Sequence, residues 1–177
     1  MPELQLLPTA AVPRRLLTEI RSVVDAAFGD RFSDQDWEHS LGGTHVVLSE
    51  GPLLLAHASV VPRVIEVADR PFQAGYVEAV ATRPERQGEG HGTRVMEAVG
   101  AVVRAEHELG ALSTSARRFY RRLGWERWRG PTYVRHGSRR VRTKDEDDGI
   151  MVLRTGPSLP IDLTDPISCA TRPGDDW

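Results

Sequence analysis

Three glycines at alternate positions, Gly88, Gly90 and Gly92, stand between an alternating stretch, Tyr76–Thr82, and a stretch with Val95, Met96, Val99, Val102 and Val103 at helical spacing. Glycine at such a junction lets backbone N–H groups approach a ligand closely, and the N-terminus of the following helix favours negative charge, so the pattern suits a phosphate. The spacing lacks the Gly-Lys-Ser/Thr ending of a Walker loop and is not a full dinucleotide fingerprint. Just upstream, Glu78 is an acid among the apolar residues Val77, Ala79, Val80 and Ala81. Period-two alternation puts Val77, Ala79 and Ala81 on one side of a strand and Tyr76, Glu78, Val80 and Thr82 on the other. Read alone, Glu78 either meets solvent or a salt-bridge partner, or is a carboxylate whose pKa partial burial raises toward general-base work.

The elements that must position these residues follow from periodicity. Arg14–Phe28 carries Leu16, Leu17, Ile20, Val23, Val24 and Ala27 on one helical face, and Gly29 stops it. Ser33 with Asp36 three residues on predicts a second, short helix containing Trp37, although Asp is a poorer capping-box partner than Glu or Gln. His45–Ser49 and Leu53–Val61 flank Glu50-Gly51-Pro52 and read as a hairpin; Arg63–Val67 continues as strand to the turn Ala68-Asp69-Arg70-Pro71. Leu109–Leu112 reads as a short strand, Arg117–Leu123 as a helix stopped by Gly124, and Trp125–Val134 as strand. The tail from Gly156, with four prolines, has no clear assignment. Helices, hairpin strands, Gly loop, helix, strand, helix and strand in that order predict an α/β or α+β fold with a mixed sheet.

At 177 residues the chain is long enough for one core, and 1–177 reads as a single domain. A formal charge of −2 and 40% hydrophobic residues exclude a generally basic nucleic-acid coat, wholesale disorder and a fibrous repeat. No apolar run is long enough to span a bilayer and no signal peptide is read at the N-terminus, so a cytoplasmic location is expected. Cys169 is the only cysteine, which allows no internal disulfide and no Cys-based zinc site; it reads as a small apolar residue, and no metal is expected. The basic residues are 22 Arg and one Lys; ten of the Arg lie between Ser113 and Arg142, and Asp145, Glu146, Asp147 and Asp148 follow directly. That run is either a phosphate-binding face beside a cation-binding one or a set of solvated side chains.

Gln87-Gly88-Glu89-Gly90-His91-Gly92 resembles the coenzyme A loop of the Gcn5-related N-acetyltransferase (GNAT) superfamily. Ala116 through Phe119-Tyr120 to Gly124-Trp125 resembles its second signature. Within that superfamily nearly the whole chain is similar to the aminoglycoside 2'-N-acetyltransferases. Phe32–His39, Leu41–Gly43, Gly75–Glu78, Leu109–Ser113, Gly130–Thr132, Asp147–Gly149 and Gly174–Trp177 carry the similarity. The resemblance implies a mixed, mostly antiparallel sheet flanked by helices and splayed into a V between its fourth and fifth strands. It also implies acetyl-CoA as co-substrate, an aminoglycoside as acceptor and a homodimer; the charge and the short apolar runs predict no nucleic-acid or membrane partner.

Carried over residue by residue, the resemblance places Val80 and Thr82 against the pantetheine arm and Gln87, Gly88, Gly90, Gly92 and Thr93 on the pyrophosphate. Glu78 takes the role of general base acting through water, and Tyr120 that of general acid to the departing thiolate. A strand N–H, that of Val80, polarises the thioester. Asp36, Ser113, Asp147, Asp175 and Trp177 fall at substrate positions, with Trp177 offering its ring and terminal carboxylate. Without the resemblance, Tyr120 is an amphipathic core tyrosine, Asp145–Asp148 a solvated loop and the C-terminal tail disordered. The Ser113–Tyr120 stretch is about two residues shorter than in some relatives. The nearest different reading keeps fold and coenzyme but acetylates another amine, such as a polyamine, an aminosugar or a peptide N-terminus.

Overall fold

The computed structural model describes all residues from Met1 to Trp177, and the chain divides into two compact units. The first comprises Met1–Val61 and Val77–Ala101. It holds β1 (Glu3–Pro8), α1 (Arg14–Phe28), α2 (Asp34–His39) and β2 (Thr44–Glu50). It also holds the first part of β3 (Leu53–Val67), the last part of β4 (Arg70–Thr82) and most of α3 (His91–Glu106). β1 runs antiparallel to β2, and β2 to β3, with a register irregularity at Leu48/Ser49. α1 has the bounds its apolar spacing predicts and ends at Gly29, where φ is 60°. Its buried residues Ile20, Val23 and Val24 pack with Val47, Leu54, Ala79 and Ala81 into the core of this unit. β1 escaped the sequence reading because its leucines are only half-buried or exposed, so it carries no alternation.

The second unit comprises Pro62–Tyr76 and Val102–Trp177. It adds β5 (Leu109–Ser113), α4 (Arg117–Arg121), β6 (Glu126–Arg127), β7 (Thr132–His136), β8 (Arg139–Arg142), β9 (Ile150–Arg154) and β10 (Ile167–Ala170). With the parts of β3 and β4 that lie here, the strand order is β6-β9-β5-β4-β3-β10-β7-β8. β4 and β5 are parallel over Ala74–Tyr76 and Leu109–Ala111, and β10 and β7 are parallel; β5/β9, β6/β9, β7/β8 and β3/β10 are antiparallel. The sheet is therefore mixed, as expected. Phe72, Tyr76, Leu109, Trp128, Ile150, Ile167 and Trp177 are among the residues of its core.

Three sequence expectations need correction. β4 starts at Arg70, six residues before the stretch where alternation is clean, because the two-residue turn Ala68-Asp69 returns the chain at once. α4 is five residues, ending before Leu123. The predicted strand Trp125–Val134 is broken: Trp128 N–H bonds Ile150 O, and the N–H groups of Arg129 and Gly130 both turn to Leu163 O.

Candidate active site

In the first unit, Glu78, Val80 and Thr82 are half-buried while Val77, Ala79 and Ala81 are buried, the two-sided pattern the sequence predicts. The strand is not regular between them. Ala79 has φ of 51°, a left-handed conformation that costs an L-residue with a Cβ about 1–2 kcal/mol. Such kinks re-aim neighbouring groups and concentrate beside functional sites.

β4 passes into the glycine loop at Thr82, whose carbonyl accepts from the Gln87 side chain at 3.3 Å. Gly88 and Gly90 have φ of 83° and 84°, so both need glycine, and a Cβ at either would meet nothing within 4 Å. This is an open cradle of backbone. Arg94 N–H, bonded to Gly90 O at 3.1 Å, is the first amide of α3 to find a partner of that kind, which leaves the His91, Gly92 and Thr93 amides at a helix start whose geometry gives them none within the helix. Those groups, and the positive end of a 16-residue helix, suit an anionic pyrophosphate. Glu89 is drawn aside by Arg86, at 2.9 Å, and by His91, at 3.0 Å. Asp36 closes the cap of α2: Ser33 N–H and Oγ both donate to its Oδ2 at 2.8 Å, and Asp36 N–H returns a bond to Ser33 Oγ. Asp thus completes the capping box despite its shorter reach.

In the second unit, Tyr120 is 7% exposed and lies edge-on to Phe119 and Trp125. Burial pushes its hydroxyl up to about 12, so it stays protonated, and a proton donor, throughout the ordinary pH range. Ser113 Oγ donates to Glu146 at 3.4 Å. Burial, with the negative charge of Asp175 second, raises the Glu146 carboxyl above its usual value, against the Ser113 bond. Asp175 Oδ1 in turn accepts from Trp177 N–H at 3.2 Å. Glu146, Asp175 and Trp177 line one cleft of ≈ 460 Å³.

Asp147 does not share this arrangement. Its carboxylate is gripped by both terminal nitrogens of Arg142 and by the Thr132 N–H and hydroxyl. Arg142 first, then Thr132, holds it down to about 2. The acid that sequence reasoning missed is its neighbour Glu146. The Trp177 ring is core, 4% exposed, and its Nε1 donates to Thr143 Oγ1 at 3.2 Å. The C-terminal tail is tied down: Arg63 donates to Asp176 O at 2.9 Å, and Arg172 N–H to Asp176 Oδ1 at 2.9 Å. Cys169 is buried, as an apolar residue would be.

Eight of the ten Arg in the Arg-rich run fall into two groups. Arg127 pairs with Asp148, Arg135 and Arg140 with Glu66, Arg140 also with Asp69, and Arg142 with Asp147. Arg117, Arg118, Arg121 and Arg122 instead surround an open concavity at α4. No helix is long and apolar enough to cross a membrane.

A family model described as an acetyltransferase (GNAT) domain matches residues 13–128, so the chain is an acyltransferase of the GNAT class. Solved structures agree on the fold. A GNAT family N-acetyltransferase from Escherichia coli in complex with CoA superposes with a TM-score of 0.69 at 11% identity, over 95% of this chain and 89% of that one. A GNAT acetyltransferase from Brucella melitensis in complex with acetyl-CoA gives 0.62 at 20% identity, over 93% and 94%. The chain spans about a third of other matched structures, such as a GCN5-related N-acetyltransferase from Kribbella flavida, with a TM-score of 0.59, 21% identity and coverage of 73% and 34%. An aminoglycoside 2'-N-acetyltransferase of Mycolicibacterium fortuitum is 45% identical over 161 residues, 89% of this chain and 82% of the relative. The chain belongs to the aminoglycoside 2'-N-acetyltransferase family.

Proposed function

We propose that the protein transfers the acetyl group of acetyl-CoA to the 2'-amine of an aminoglycoside by direct attack, without a covalent acetyl-enzyme. The observation that carries this reading is the continuity of Glu78, the left-handed Ala79, the open Gly88–Gly90 cradle and the start of α3 along one stretch of chain. In it, pantetheine pairs with the backbone at Val80 and Thr82, and the pyrophosphate is held at Gln87, Gly88, Gly90, Gly92 and Thr93. The acceptor ammonium loses a proton to Glu78 through water; the freed nitrogen attacks the thioester carbon. The C–S bond breaks, the leaving thiolate takes the Tyr120 proton, and the acylated nitrogen gives up its surplus proton, which restores the Tyr120 hydroxyl through solvent. Val80 N–H polarises the carbonyl, and much of the acceleration comes from holding both reactants together.

Ser113, Asp175 and Trp177 contribute to binding the polycation, and Glu146 joins them; Asp147 supports the same loop through Arg142 and Thr132. Asp36, with one oxygen left by its cap, is a further ammonium partner. The same reading takes residues 1–177 as one catalytic domain that acts as a homodimer in the cytoplasm and confers aminoglycoside resistance. Thiol release measured with 2'-amino against 2'-hydroxy aminoglycosides tests it: turnover with the amines alone is expected, and equal rates would defeat the regiochemistry. Sedimentation and the growth of cells carrying the protein on aminoglycosides test the assembly and the resistance.

A further inference from the structure

We propose that His57, backed by His45 and Thr9, is a positioning residue for acetyl transfer: it holds the Ala79 carbonyl on the β3 side of β4 and so keeps the Val80 N–H turned the other way, toward the thioester oxygen. The proposal rests on the acetyl-transfer reading above.

In a straight strand, successive carbonyls point to opposite neighbours. Here two consecutive carbonyls of β4 accept from side chains of the same strand, β3: Glu78 O from Ser59 Oγ at 3.3 Å, and Ala79 O from His57 Nδ1 at 2.9 Å. The left-handed φ of Ala79 makes this reversal possible. The peptide bonds are trans, so each N–H points away from the carbonyl of the residue before it. The N–H groups of Ala79 and Val80 therefore both leave β4 on the side away from Ser59 and His57. Two adjacent donors on one side are what a developing oxyanion needs, and they stay there only while the two carbonyls are held.

The hydrogen bonds behind His57 have one self-consistent direction. A carbonyl only accepts, so His57 Nδ1 carries a proton. Burial drives the ring down to about 3, so it is neutral and its Nε2 is bare. His45 Nδ1, 2.9 Å from that atom, must then donate, and His45 Nε2 accepts from Thr9 Oγ1 at 2.9 Å. Gly42 N–H donates to Thr9 Oγ1 at 2.9 Å, which points the hydroxyl proton onward; Gly43 O, at 3.2 Å, is the longer and already bonded alternative. Both imidazoles are fully buried. Two buried polar rings are costly unless every nitrogen is used, and here all four are, in a chain that ends on the one carbonyl a regular strand would turn the other way.

The test compares His57→Phe, which keeps the ring and removes the donor, with His57→Asn, whose Nδ2 stands where Nδ1 did. His57→Phe is expected to lower kcat about 10- to 100-fold, with the aminoglycoside KM within about 2-fold of the parent, and His57→Asn to recover most of the loss. A purely structural imidazole predicts the reverse ranking, since Asn leaves the larger void. An unchanged kcat in His57→Phe, or an Asn variant as slow as the Phe variant, overturns the proposal. Nitrogen-15 NMR of the unaltered protein needs no variant to fold: both rings should show a protonated Nδ1 and a bare Nε2, and a proton on His57 Nε2 overturns it. If the unaltered protein acetylates no aminoglycoside, the acetyl-transfer reading fails; if it does and His57 is indifferent, this inference alone fails.

Discussion

Glu146 and Asp147 are adjacent in sequence and opposite in chemistry. Asp147 faces a guanidinium and a threonine and is held as an anion down to about 2, whereas Glu146 is half-buried, faces Asp175, and is shifted the other way. Nothing in the run Asp145–Asp148 distinguishes them, because the choice is made by the short 3-10 turn Lys144–Glu146 and by the strand residues Thr132 and Arg142. An ammonium binding beside Glu146 would relieve its repulsion from Asp175. Glu146→Gln should therefore raise the aminoglycoside KM about 10-fold or more, the loss of one charge-assisted hydrogen bond, and leave the acetyl-CoA KM alone. Asp147→Asn should leave substrate affinity nearer the parent and act on stability. Because the folded pKa of Asp147 lies below its ordinary 3.8, its contribution is present above that value and is lost as pH falls toward about 2. With the pair about a third exposed, solvent screening keeps that contribution small. Urea unfolding of parent and variant should thus differ at pH 7 and converge near pH 2. If Glu78 and Tyr120 act as proposed, Glu78→Gln should lower kcat about 100-fold or more at neutral pH. Tyr120 stays protonated to about 12, so an alkaline limb of the kcat profile below pH 10 would belong to another group.

Elements whose stability is local were legible. α1 has the bounds that its apolar spacing and terminal glycine predict, and the glycine loop is found from its composition, although α3 begins at His91 and so takes in the loop's last two residues. Elements that depend on partners distant in sequence were not. β6 and β7 read as one strand although Gly130-Pro131 marks a break between them; the Leu163 and Ile150 carbonyls, distant in sequence, capture the amides there. The kink at Ala79 was invisible too: no glycine marks it, and it is held from β3 by His57 and Ser59. The β3–β4 turn shows the same mismatch between residue and conformation. Ala68 and Asp69 both adopt positive φ, 46° and 66°, the geometry of a two-residue hairpin turn that prefers Asn and Gly. Asn tolerates this region better than Ala, so Ala68→Asn should raise stability by up to about 1 kcal/mol with kcat unchanged, checked by thermal melting. Asp69 is the worse site to alter because it also pairs with Arg140.

At the scale of the whole molecule, two apolar clusters, one in each unit, carry the fold, and the last residue of the chain belongs to one of them. Composition suggested a loose acidic tail at Gly174–Trp177; instead Trp177 is buried, Asp176 is held by Arg63 and Arg172, and Asp175 is tied to the Trp177 amide. The proposed substrate role of Asp175 therefore predicts that stability and substrate binding are coupled at this end of the chain. Trp177→Ala should cost about 3–5 kcal/mol by removing a core aromatic, and should release Asp175 from its position beside Glu146. The aminoglycoside KM should then rise well above the parent's, while the acetyl-CoA KM, assigned by the proposal to backbone at Val80–Thr93, should hold. Trp177→Phe separates the two effects: it fills most of the site and loses only the Nε1 bond to Thr143, worth about 1 kcal/mol, so the KM should stay near the parent value. Thermal melts and steady-state kinetics on both variants decide the matter, and a Trp177→Ala protein that melts with the parent would show that the ring contributes nothing to the core.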